Sequence, residues 1–433
     1  MIKKSHITVL LIVMSLLSCG KQQQEENKME NSTQPAKSRN LSAKEILGNP
    51  DYQAISYGGY RLKTRDSQPT IPQLKQDLKI LDALNIKVLR TYNVRLPHAS
   101  NVLKAIKELK AEDPDFEMYV MLGAWIDCKN AWTDMPVNHY EEAEYNEDEI
   151  KRAMDLANMY PDIVKVIAVG NEAMVKWATS YFVQPNVILK WVNYLQDQKK
   201  QGNLDKDLWI TSSDNFASWG GGGAEYHVPD LEELLKAVDF LSIHTYPMHD
   251  THYNPVFWGV LPKEKSKSNT VILDNVMNRS LNYAVSQYDS VVSYMSSIGV
   301  KKPVHIGETG WASVSNGHYG SKGSKACDEY KQALFYNKMR EWTTQNNISC
   351  FYFEAFDEPW KDYYNDKGSE NHFGLFTVDG KAKYVLWEQV DEGTFNNLKR
   401  DGNAIIKTYD GNYDDLLLDV EMPAVKQDIR LNH

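Results

Sequence analysis

Two glutamates stand where strand-forming runs give out. The first closes VIAVGNEA, residues 166–173, with Glu172 directly after Asn171. The second lies in PVHIGETGW, residues 303–311, with Glu308 flanked by glycines on either side of the GETG turn. In each motif, apolar residues meet a small residue and then a carboxylate. Ligands of parallel α/β folds bind at the carboxyl ends of strands, so both side chains are expected to enter one solvent cleft. Two carboxylates converging on a cleft can act as proton donor and nucleophile, the minimum equipment for cleaving a glycosidic bond.

The rest of the chain supplies elements to position them. Strand-like runs recur as AISYGGYR near Ile55, IKVLRTYNV near Val88, FEMYVMLGAW near Tyr119 and VIAVGNE near Ile167. They continue as LWITSSD near Ile210, VDFLSIHTYP near Leu241, PVHIGETGW near Ile306 and SCFYFEAFDEPW near Tyr352. Amphipathic stretches lie between them. Residues 73–85 place Leu74, Leu78 and Leu81 on one helical face. Similar patterns cover 101–110, 149–160, 187–198, 230–237, 281–297 and 329–343. Ser100 and the pair Pro229-Asp230 read as helix starts, and Gly202 and Gly299 as helix stops. Eight strand–helix units predict a (β/α)₈ TIM barrel with long upper loops, Glu172 ending the fourth strand and Glu308 the seventh. An open doubly wound sheet would want a glycine-rich phosphate turn after an early strand. The run Gly220 to Gly223 comes too late and lacks a phosphate-binding lysine, so it reads as a flexible turn in an active-site loop.

These motifs, in this order, resemble those of glycoside hydrolase family 17, the β-1,3-glucanases of the retaining (β/α)₈ clan. The likeness runs from about Ile55 to Leu375. It takes in SYGGYR, VLRTY, VGNE, HTYP, GETGW, FEAFDEPWK and the closing ENHFGLF. FDEP, residues 356–359, departs from the more amide-rich sequence of plant members. The resemblance implies Glu172 as acid/base and Glu308 as nucleophile. It also implies sugar contacts from Glu358, Lys361 and Glu370. No cofactor or metal is expected.

The chemistry assigns further expectations. A retaining enzyme needs one carboxyl protonated and the other ionised at one pH. Asn171 is a neutral donor that could bind the 2-hydroxyl beside the reacting carbon. Tyr246 could donate to the nucleophile, and Arg90 could fix its charged form; either could equally close a polar network at the barrel mouth. With 11 Trp and 25 Tyr, the chain is rich in side chains on which a sugar face can stack. Trp125, Trp132, Trp177, Trp219, Trp258, Trp311 and Trp360 all follow expected strands. Tyr57, Tyr92, Trp311 and Trp360 border the motifs and are the preferred sugar contacts. Residues 249–278 show no clear element and read as a loop shaping the cleft wall.

A net charge of −10 with no basic patch argues against nucleic acid. A neutral glucan needs no charge steering. At the amino terminus, Lys3 and Lys4 precede an apolar run from Ile7 to Leu17, too short to span a bilayer of about 30 Å. With Leu16-Leu17-Ser18-Cys19 it resembles a bacterial lipoprotein signal, residues 1–18, making Cys19 the lipidated first mature residue. Residues 19–44 then form a polar tether holding the protein at an outer membrane, on its surface or periplasmic face. The catalytic domain is expected over 45–393, as a monomer, with 383–392 as the last barrel helix. Residues 394–433 are an acidic extension, a small strand-rich cap or a loose tail, without the EF-hand pattern. Cys128, Cys327 and Cys350 show no zinc spacing and read as unpaired and buried, with one disulfide as the alternative. His244, His305 and His372 lie near motifs and read as satisfied histidines rather than metal ligands. Three readings stay open: a retaining, endo-acting β-1,3-glucan hydrolase, a transglycosylase on the same carboxylates, or a glucan-binding lipoprotein without turnover.

Overall fold

Eight parallel strands close on themselves in a computed structural model that describes residues 40–430. In chain order they are β1 (Gln53–Ser56), β2 (Ile86–Arg90), β3 (Tyr119–Ala124) and β4 (Val164–Asn171). They continue with β5 (Trp209–Asn215), β6 (Leu241–His244), β7 (Val304–Gly310) and β8 (Cys350–Phe353). Each pairs with its sequence neighbours, and β1 closes the ring on β8 through Ile55 and Tyr352. The fold is therefore a (β/α)₈ barrel. The expected signal peptide, Cys19 and most of the tether lie outside the described residues. Among the described residues, no helix is long and apolar enough to cross a membrane.

Two layers of apolar packing hold the ring. Inside its lower half, Ala54, Val88, Met121, Val166, Ala168 and Phe351 pack with Ala43 and Ile46 of the short helix Ala43–Ile46. Outside it, Leu74, Leu78 and Leu81 of the helix Ile71–Ala83 join the larger core against strands and helices. That helix starts two residues before the sequence pattern because Thr70 caps it. The Thr70 hydroxyl accepts from the Gln73 N–H, and Gln73 Oε1 accepts from the Thr70 N–H. Gly202 and Gly299, just past the helices Pro185–Lys200 and Asn269–Ser297, have φ of 77° and 75°, the left-handed stop expected of them.

Several expectations are corrected. Ser100 does not start a helix: the helix runs Pro97–Glu112, opened by a proline whose fixed φ suits the first turn. Residues 249–278 are not a bare loop. They carry most of the helix Pro247–Tyr253, a 3₁₀ turn Pro262–Glu264 and the first turns of the 29-residue helix Asn269–Ser297. That helix buries Ile272, Leu273, Val276 and Met277, two adjacent pairs that blur a one-sided stripe. The glycine run is no flexible active-site turn either. Residues 217–221 form a single π-helical turn in which Gly220 has φ of 90°, and a Cβ on Gly220 would overlap the Tyr294 ring. Glycine is there for close packing. The last barrel helix, expected over 383–392, is a 3₁₀ turn, Tyr384–Leu386, continued by the α-helix Trp387–Asp391.

The carboxyl-terminal extension is tied down with little strand. It holds a two-residue hairpin, Lys399–Arg400 with Asn403–Ala404, and the helix Tyr413–Leu418. Arg400 is fully buried, with Nε donating to Asp77 Oδ1 of the Ile71–Ala83 helix at 3.0 Å. Asp77 also takes Arg61 at 2.9 Å and the Tyr57 hydroxyl at 2.9 Å. The extension thus braces the loop after β1 from behind.

Candidate active site

Glu308 lies inside β7, two residues short of its end, and is almost fully buried. The preceding glycine lets the strand come close: a Cβ on Gly307 would meet Ser242 Oγ at 2.0 Å and Ser213 Oγ at 2.6 Å. Three side chains grip the carboxylate. Arg90 at the end of β2 donates to Oε2, Tyr92 donates to the same oxygen at 2.8 Å, and Tyr246 donates to Oε1 at 2.6 Å. Burial works against the Glu308 anion. The positive field of His244 and Arg90 and the two tyrosine hydrogen bonds overcome it, holding the carboxyl well below the usual carboxylate range. Burial and the adjacent Glu308 charge push the Tyr92 and Tyr246 hydroxyls well up, so both stay donors.

Glu172 follows β4 immediately and has φ of 46°, a left-handed conformation uncommon for a side chain of this size. Its N–H donates to the Ser213 carbonyl at 3.0 Å, which fixes the turn. No lysine or arginine grips its carboxylate. Its side-chain partner is His244, whose Nδ1 lies 3.1 Å from Oε1 and whose Nε2 lies 2.8 Å from Ser213 Oγ. The turn is also clamped by Asp214, which is fully buried and accepts from the Met174 N–H at 2.7 Å. Burial raises the Asp214 carboxyl to about 7, against the Met174 hydrogen bond.

Two cavities meet at Glu308. The first, of about 740 Å³, includes Tyr57, Tyr92, Asn171, Glu358, Trp360 and Lys361 in its lining. The second, of about 780 Å³, is lined by Glu172, Trp177, Phe216, Tyr246 and Tyr253, among others. Glu308, Phe353 and Glu370 border both. Asn171 Oδ1 accepts from Arg90, which leaves the Asn171 amide N–H groups as the donors for a ligand. Glu358 is buried and accepts from the Tyr60 N–H and from Trp360 Nε1, each at 3.1 Å. Lys361 sits 3.4 Å from Glu354 and 3.6 Å from Glu358, over the Phe353 face. Burial drives the Glu354 carboxyl well up, with Glu358 and Asp357 adding to the effect against Lys361. Glu370 lies 3.7 Å from His249.

Not every expected contact reaches the cleft. Trp311 is fully buried between Trp258 and Phe335, with its indole N–H donating to the Ala326 carbonyl at 2.8 Å. It is packing, not a sugar platform, and so are Trp219 and Trp258. Tyr57 borders the cavity but spends its hydroxyl on Asp77, and Tyr92 spends its own on Glu308. Arg90 is buried behind Glu308 and Asn171 rather than open to a ligand. Tyr181 and Phe216 line the cavities without any motif to flag them, and Tyr60 and Phe353, inside SYGGYR and FEAFDEPWK, line them too. His372 lies 3.4 Å from Asp357 and His305 accepts from the Ser349 N–H. Burial lowers His305 to about 4. Among the described residues no group of three His, Cys, Asp or Glu is placed to hold a metal. Cys128, Cys327 and Cys350 are free thiols.

The grip on Glu308 yields a test. Tyr246→Phe removes a hydrogen bond to a charged group, worth about 1.5–3 kcal/mol. We expect kcat/KM to fall roughly tenfold to a hundredfold. The acid limb of its pH profile should move to higher pH, because the lost bond favoured the anion. An unshifted limb would show that Tyr246 only fills space.

A (β/α)₈ barrel whose fourth and seventh strands present one loosely held and one tightly held glutamate to a shared cleft has the architecture of a glycoside hydrolase. The chain belongs to the BtgE/BtgC glycoside hydrolase domain family, whose model matches residues 54–374. It is 25% identical over 311 residues to a putative glucan endo-1,3-beta-glucosidase btgC of Aspergillus niger, covering 70% of this chain and 37% of that one. A probable glucan endo-1,3-beta-glucosidase btgC of Aspergillus flavus is 25% identical over 358 residues, covering 78% of this chain and 44% of its own length. The chain thus spans less than half the length of these curated relatives. Among solved structures, an endo-laminarinase from Formosa Hel1_33_131 is 69% identical with a TM-score of 0.89, covering 91% of this chain and all of that one. A β-1,3-glucanosyltransferase of Rhizomucor miehei, 21% identical with a TM-score of 0.51, covers 82% of this chain and 98% of its own and shares the fold.

Proposed function

We propose that this protein is a retaining endo-β-1,3-glucanase of the family 17 type, acting on laminarin-type glucan. The observation that carries the mechanism is the unequal setting of the two glutamates. Glu308 is an anion held by three donors where the two cavities meet, whereas the Glu172 carboxylate has His244 as its side-chain partner and no lysine or arginine gripping it. The substrate class rests on the likeness to the endo-laminarinase and the fungal relatives.

In the first step Glu308 attacks the anomeric carbon while Glu172 protonates the departing glycosidic oxygen, so the bond to the leaving segment breaks as the ester to Glu308 forms. In the second step Glu172 removes a proton from water. The resulting hydroxide attacks the same carbon and releases the Glu308 carboxylate. Two inversions return the starting β configuration. Glu172 borders the second cavity and Asn171 the first. The leaving segment therefore lies along Tyr246, Phe216 and Tyr253, and the retained segment along Trp360 and Glu358. Cavities on both sides of Glu308 suit a cut within a chain. An early time course on laminarin tests this, and the expected products are oligomers of mixed length. A single short sugar from the first minutes would mean exo action. Oligomers longer than a defined starting oligomer would mean that a sugar, not water, is the acceptor.

A further inference from the structure

The wall of the first cavity carries an aromatic pair that the family motifs do not include. Trp132 sits in the loop after β3, within the excursion closed by the hairpin Cys128–Lys129 with Asn138–Glu142. It is 61% exposed, yet it is firmly held. Its ring stacks on Tyr181 with centroids 5.1 Å apart and planes 21° apart. Its Nε1 donates to Asp127 Oδ1 at 3.1 Å. Asp127 is fully buried and also accepts from Trp125 Nε1 at 2.7 Å and from the Tyr145 hydroxyl at 2.7 Å. One carboxylate therefore sets three aromatic side chains of a single loop.

The backbone shows the same arrangement from another side. Trp132 has φ of 62°. A bulky residue rarely takes that conformation, and such strain gathers where a ligand must be met. Burying the indole does not explain it, because most of the ring faces outward. An exposed, immobilised indole on a cavity wall offers a flat apolar face with little ordering entropy left to lose on binding. The face of a β-linked glucosyl ring, with its axial C–H bonds, is its natural counterpart.

We propose that Trp132, set by Asp127 and backed by Tyr181, forms a stacking subsite for a glucosyl ring of the retained segment, beyond the ring under attack. The subsite makes affinity rise with chain length and so selects for chains long enough to reach it. The proposal rests on the β-1,3-glucan reading above.

The test measures binding without turnover. In a Glu172→Gln background, calorimetry with β-1,3-linked glucose oligomers of two to six units is compared with and without Trp132→Ala. Affinity for the hexamer is expected to fall at least about fivefold, with the loss shrinking steadily toward the dimer. Trp132→Phe, which keeps a ring and is the milder change to the fold, should recover part of it. Asp127→Asn should weaken the hexamer in the same length-dependent way, because it acts through the ring it positions. An equal loss at every length, or none, overturns the subsite while leaving the glucanase reading intact. If Glu172→Gln with Trp132 in place binds no oligomer of any length, the β-1,3-glucan reading itself fails and the subsite falls with it.

Discussion

Replacing Glu308 by alanine is expected to lower kcat on laminarin by at least about 10⁴-fold, the scale seen when a covalent nucleophile is removed. The loss follows from geometry. Arg90, Tyr92 and Tyr246 all point at this carboxylate, and water in its place would carry neither the charge nor the position needed for attack. The vacated space keeps its donors, so it is a ready site for a small anion. Steady-state kinetics on laminarin checks the size of the effect. A residual rate within a hundredfold of the parent would assign the nucleophile elsewhere.

Glu172→Ala should behave differently. Loss of a general acid costs about 10²–10⁴-fold on a glucan, whose departing oxygen must be protonated. An aryl glucoside with a good leaving group needs little protonation, so its kcat/KM should stay within roughly tenfold of the parent. Its kcat should still drop, because water in the second step has lost its base, and KM should drop with it as the glycosyl-enzyme accumulates. A parallel loss on both substrates would reverse or dissolve the division of roles between the two glutamates.

The barrel and its two glutamates are legible because strand-like runs recur eight times and two of them meet a small residue and then a carboxylate. That signal is local. What escaped was set by packing between distant segments. Trp311 follows Glu308 by three residues, yet the chain turns its indole into the core against Trp258 and Phe335. Residues 269–278 read as loop because adjacent positions are buried together, which hides the helical stripe. Gly220 looked like a flexible turn and instead combines a φ of 90° with the space that Tyr294 needs. The stacking of Trp132 on Tyr181 joins two loops 49 positions apart, and no spacing in the sequence announces it. His244 stood in a visible motif, but its bond to Glu172 depends on β4 and β6 both flanking β5 in the ring.

The central claim is that Glu308 attacks the anomeric carbon from the face opposite the leaving oxygen, with Glu172 on the leaving side. The anomeric configuration of the product formed by Glu308→Ala with an activated β-glucoside and azide, read by proton NMR, tests it most directly. Azide entering the vacated nucleophile position should restore turnover and give the α-glycosyl azide, a single inversion. A β-glycosyl azide from this variant would contradict the account, since it would place the nucleophile on the other face.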